Sequence, residues 1–135
     1  MRFLVCAIAL GAVLACSQSS TSPHEPSVAG AWSLDSASVV SPGTMTLSQH
    51  GDAIVGSGSA MGVDVPIAVD IGGRFSPPTA TSPPLVSLIF QFENGGGMTG
   101  QFTGTLTGPN HIQGSVIFYG IAQAPQTGSA SYTRR

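Results

Sequence analysis

The chain has 135 residues, a formal net charge of −2 at neutral pH, and 7% charged side chains against 41% hydrophobic ones. It has no lysine, and beyond its first residues the only cations besides histidine are Arg74, Arg134 and Arg135, so it lacks the basic footprint that nucleic-acid binding needs. Fair apolar content at low charge argues against disorder, and the surface must therefore be made of Ser, Thr, Gly, Gln and Asn.

Arg2, an apolar run from Phe3 to Leu14, and the small Ala15 before Cys16 describe an export signal. The run is too short to span a bilayer: as helix it covers about 18 Å, against a hydrocarbon core of about 30 Å. Its ending, Val13-Leu14-Ala15-Cys16, resembles the lipobox of bacterial lipoproteins, with Leu14 standing where that family usually has a small residue. The resemblance implies diacylglycerol on the Cys16 sulfur through a thioether, cleavage before Cys16, and N-acylation by a palmitate-type chain. Residues 1–15 are then the expected signal peptide, Cys16 the expected lipidation site, and the membrane a partner through the lipid anchor. Cleavage after Ala15 by an ordinary secretory route is the alternative. Ser17 rather than Asp follows the cysteine, which within that resemblance points to the outer membrane of the cell envelope. Each buried CH₂ contributes about 0.8 kcal/mol, so two or three acyl chains anchor firmly.

Cys6 falls in the discarded segment, which leaves the folded domain without a thiol or a disulfide and dependent on its core. Residues 17–28 are dominated by Ser, Thr, Pro, Gln, His and Glu without apolar periodicity, and read as a flexible linker spanning about 20 Å. The domain is expected over residues 29–135.

There, alternating segments rich in Val, Ile, Thr and aromatic residues predict eight strands, at 31–39, 44–49, 53–60, 64–71, 85–92, 98–107, 111–119 and 128–134. The junctions carry turn chemistry, as in His50-Gly51-Asp52, Asn94 to Gly97 and Gly108-Pro109-Asn110, and their shortness makes successive strands antiparallel neighbours. No window has helical apolar spacing. Two hairpins read alike, Thr46-Leu47 and Thr105-Leu106 each followed by a turn and an Ile-x-Gly, which predicts Leu and Ile facing inward across each turn.

The predicted fold class is thus all-β. An eight-stranded antiparallel up-and-down barrel removes the exposed edges that an open sheet would leave. A β-sandwich is the alternative, if the Pro-rich stretch from Arg74 to Pro84 crosses between layers. Gly30-Ala31-Trp32 at the first strand and Arg134 at the last are similar to the Gly-x-Trp motif and terminal Arg of lipocalin-like barrels; avidin-like barrels also begin with Gly-x-Trp. The resemblance implies a small closed barrel; closure sets the first and last strands side by side, and parity, with Trp32 and Leu34 on one face and Tyr132 and Arg134 on one face, then predicts Arg134 capping the Trp32 ring.

By parity, the inward positions are Trp32, Leu34, Met45, Leu47, Ile54, Val65, Ile67, Val69, Leu88, Phe90, Phe92, Phe102, Leu106, Ile112, Val116, Phe118 and Tyr132. Gly56 and Gly58 share the inward face with Ile54 and thin one wall, so Trp32, Gly56, Gly58, Phe90 and Arg134 are the candidate ligand-binding residues for a small apolar or amphipathic ligand. If the glycines serve tight coiling instead, the domain is a packed structural or partner-binding module. Connectivity puts His50, Asp52, Arg74 and His111 on the tether side, a thin basis for a metal or base site. No Gly-x-Ser-x-Gly elbow, free thiol or phosphate loop is present, and Asp64 and Asp70 are spaced too widely to act together, so neither catalysis nor a cofactor is expected. Polar outward positions, such as Ser57, Asp70, Gln91 and Gln113, argue against a membrane-embedded barrel.

Overall fold

The computed structural model describes residues 26–62, 64–94, 96–121 and 123–135. The expected signal peptide, the Cys16 lipidation site and most of the linker lie outside the described residues. Eight strands form: β1 (Gly30–Ala37), β2 (Thr44–His50), β3 (Ala53–Met61), β4 (Pro66–Ser76), β5 (Leu85–Phe92), β6 (Thr99–Leu106), β7 (His111–Tyr119) and β8 (Gln126–Arg134). Each pairs with its neighbours in sequence and β1 pairs with β8, giving a closed antiparallel barrel. The closing seam sets Trp32 opposite Arg134 and Leu34 opposite Tyr132, with a bulge between Leu34 and Ser36. The sandwich alternative is excluded. The Pro-rich stretch joins β4 to β5 as adjacent strands and is shorter than expected, because Arg74 still belongs to β4.

Alternation shapes the wall. In β5 the burial of Leu85 to Phe92 switches at every residue, placing Val86, Leu88, Phe90 and Phe92 inside. β4 extends further than its sequence predicts: Gly72-Gly73 reads as punctuation, yet the period-2 phase of Val69 and Ile71 continues through Gly73 to a buried Phe75. At its other end, Val65 precedes the strand and is 66% exposed, so its expected inward position is corrected. The linker boundary also moves. Val28 is fully buried in the core, and the packed structure therefore begins before residue 29.

The two similar hairpins differ in register. His50 pairs with Ala53 across the two-residue turn Gly51-Asp52, where Gly51 supplies a left-handed φ of +62°, and Leu47 falls opposite Gly56. In the second, Leu106 lies directly opposite Ile112 across a longer loop, closed by Thr107 N–H donating to the His111 carbonyl at 2.9 Å. All four aliphatic side chains are buried as expected, but turn length rather than the shared sequence decides who faces whom.

Inward glycines let large neighbours close the interior. A β-carbon on Gly56 would stand 2.9 Å from Leu47 Cδ2, one on Gly58 3.2 Å from Met45 Cβ, and one on Gly104 2.6 Å from Phe102 Cζ. The small residue on one strand makes room for the large one beside it, which permits the tight coiling an eight-stranded barrel needs. Trp32, Phe90, Phe102 and Tyr132 are fully buried, and Phe102 meets Tyr132 edge to face at 6.1 Å between centroids.

Candidate functional site

Because strands alternate in direction, the start of β1, the β2–β3 turn, the β4–β5 and β6–β7 loops and the end of β8 share one end of the barrel, here termed the tether side. Residues Pro26 to Ala29 cross this mouth as a strap. Val28 drops its side chain into the core; its N–H donates to Gln49 Oε1 at 2.9 Å and its carbonyl accepts from the Trp32 indole N–H at 2.9 Å. The indole nitrogen is thus satisfied although the ring is fully buried.

Arg134 rivets the strap in place. Its guanidinium carbon lies 4.5 Å from the centroid of the Trp32 ring. Nη1 donates to the Ala29 carbonyl, Nη2 to the Ser27 carbonyl at 2.6 Å, and Nε to the Pro109 carbonyl at 3.1 Å. Stacking on Trp32 is worth about 0.5–2 kcal/mol depending on desolvation. The same side chain explains Gly30: its φ is +132°, and a β-carbon there would stand 3.0 Å from Arg134 Nη1. The Gly-x-Trp pattern and the terminal Arg therefore form one unit, in which the glycine clears the path by which the arginine reaches the ring. Burial lowers the guanidinium pKa from its ordinary value. Among the described residues the carboxylate contacts of basic side chains are Arg74 with Asp52 at 3.2 Å and His111 with Asp35 at 3.8 Å, so Arg134 answers only neutral carbonyls.

The expected ligand residues divide into two groups. Trp32 and Arg134 meet at the tether-side mouth. Gly56, Gly58 and Phe90 lie elsewhere on the inner wall: Met45 is paired to both Trp32 and Gly58 and stands between them, Leu47 covers Gly56, and Phe90 packs against Gly100. The space beside Gly56 and Gly58 is filled by β2. A hollow lies outside the core, at the mouth, where an opening of about 470 Å³ is bordered by Pro26, Pro84, Leu106, Pro109, Asn110 and Arg134. On the other flank of the strap a second, of about 420 Å³, is bordered by Pro26, Gln49, Asp52, Phe75, Pro77 and Pro78. Sequence reading misses both because prolines there signal turns; their ring carbons becoming a lining is visible only once the loops gather.

The expected rim cluster separates into pairs. Arg74 joins Asp52, while His111 approaches Asp35, whose Oδ2 also accepts from the Thr133 hydroxyl at 2.7 Å. Among the described residues no three His, Cys, Asp or Glu side chains converge as a metal site would require.

No protein-family model and no curated protein sequence matches this chain. Among solved structures, the chain is similar to one described as EF1p2_mFAP2b bound to DFHBI, with a TM-score of 0.55 and 14% identity over 80% of this chain and 94% of that one. The likeness is one of fold alone, that of a closed eight-stranded antiparallel barrel.

Proposed function

We propose that the protein is an exported, lipid-anchored component of the cell envelope that binds a small apolar or amphipathic ligand, and that it holds this ligand in the tether-side hollow instead of along the barrel axis. The hollow beside Arg134 carries the reading: its volume falls in the range of small-molecule sites, and it combines apolar walls with one oriented charged group. The lipobox-like Val13-Leu14-Ala15-Cys16 supports the anchor, and the linker after it would keep this mouth within about 20 Å of the bilayer. The small molecule named with EF1p2_mFAP2b is a precedent for ligand binding by a barrel of this fold.

The test replaces Asn110, exposed on the hollow's border, by Trp. Wild-type protein should give saturable fluorescence with the neutral probe N-phenyl-1-naphthylamine, and Asn110→Trp should lose it at an unchanged melting temperature. Equal titration curves for the two proteins would reject the site. For the anchor, expression with an alkynyl palmitate should label wild type and not Cys16→Ser. A second reading, a partner-binding module, draws on the packed axis and on Met61, Val65 and Ile121 exposed at the opposite end. Photo-cross-linking from position 121 in cells would favour it if one protein is recovered reproducibly and the probe titration is flat.

A further inference from the structure

Three features of the tether-side hollow bear on what it would hold. Arg134 spends three of its five N–H donors on the carbonyls of Ser27, Ala29 and Pro109, which leaves two for a ligand. Its charge is met by no carboxylate among the described residues, although it borders a partly desolvated surface where an anion would be attracted more strongly than in water. Finally, the walls beside it are the ring carbons of Pro26, Pro84 and Pro109 and the side chain of Leu106, which offer an apolar body contact without competing acceptors on their side chains.

Resting on the reading of this hollow as the ligand site, we propose that its ligand is an anionic amphiphile: a carboxylate head against Arg134 with an alkyl body along the proline-lined wall. The neighbouring hollow makes the assignment one-sided. Across the Pro26 strap the bordering Asp52 is already paired with Arg74 at 3.2 Å, so that flank offers an acid no unpaired cation and the Arg134 side is the one that attracts it.

Calorimetric titration of the purified protein with decanoate, decanol and decyltrimethylammonium at pH 7.5 tests the charge independently of the apolar contact. Decanoate is expected to bind at least ten-fold tighter than decanol, with the advantage shrinking as salt rises, and the cationic chain to bind weakest. Asn110→Asp, which sets a carboxylate at the same border, should erase the decanoate advantage while decanol binding persists. Equal affinities for decanoate and decanol would overturn the anionic assignment and leave the site standing. Absence of binding by all three would overturn both, and preference for the cationic chain would reverse the assigned sign.

Discussion

The barrel closes its two ends by different means. On the tether side, Val28 plugs the interior, Trp32 underlies it, and Arg134 reaches across the seam to hold the strap by backbone carbonyls. At the opposite end, the loop after β1 folds inward; the Tyr132 hydroxyl donates to the Pro42 carbonyl at 2.9 Å, and Phe92 meets Phe118 edge to face at 5.8 Å. The first end gathers the arginines of the described residues, Arg74, Arg134 and Arg135, whereas the acids Asp64 and Glu93 lie at the second. The second exposes Met61 at 82% and Ile121 at 58%. A cation-centred staple keeps polar, solvated groups beside an apolar surface and so leaves hollows, whereas among the described residues the other end is held by aromatic packing and a buried hydroxyl. Both hollows described beside the strap lie at the end with the staple.

The largest effect should come from Trp32→Ala. It removes a fully buried ring, the support beneath Arg134 and the hydrogen bond to Val28, and should cost about 3–5 kcal/mol, as buried aromatic truncations do. Phe92→Ala, at the other end, removes one aromatic contact from a slightly exposed ring and belongs at the lower edge of that range. Urea unfolding of both proteins decides it. Amide exchange adds a second criterion: Trp32→Ala should deprotect the Val28 amide, and Phe92→Ala should leave it protected. Equal losses with equal exchange would mean that the strap adds nothing beyond ordinary packing.

Most of the barrel was legible because a half-buried strand writes its orientation into alternate residues. β5 and β6 are read almost directly, and the Trp32–Arg134 meeting follows from parity once the seam closes. Two places resisted. Gly72-Gly73 conceals the second half of β4, since glycine carries no side chain by which a strand's phase can be followed. Val28 is hidden because one apolar residue in a polar segment has no period, and its burial depends on partners far along the chain, Gln49 and Trp32. The candidate site shared that fate. Gly56 and Gly58 mark small side chains, but whether such gaps are empty depends on how closely β2 approaches, and Leu47 and Met45 occupy them.

An intermediate effect tests the opposite end. Tyr132→Phe keeps the ring and strands the Pro42 carbonyl, which should cost about 1–2 kcal/mol. It should also change the pH dependence. Burial raises the Tyr132 pKa well above the ordinary phenol range, so in alkali the unfolded chain loses this proton first. The unfolded state then binds fewer protons than the folded one, and stability falls as pH rises beyond about 10, by about 1.4 kcal/mol per pH unit until the folded phenol ionises. Below that pH the contribution is fully present. Denaturation midpoints between pH 8 and pH 11 should drop steeply for wild type and more gently for Tyr132→Phe; parallel curves would show that the hydroxyl is not sealed inside.

The smallest effect separates two arginines of the same end. Arg74 and Asp52 are 79% and 67% exposed in their side chains, and a pair in water recovers little beyond its own desolvation and ordering costs. Arg74→Ala should therefore shift stability by no more than about 0.5 kcal/mol, and less in high salt, where exposed charges are screened. Arg134 differs through position instead of charge: the Trp32 face and three carbonyls converge on it, so one side chain ties the last strand, the first strand and the strap together. A melting comparison of Arg74→Ala and Arg134→Ala at low and high salt reads the difference, the first small and salt-dependent, the second larger and nearly independent of salt. If both proved small and both vanished in salt, Arg134 would be a surface charge like Arg74, and the strap would be held by Val28 alone.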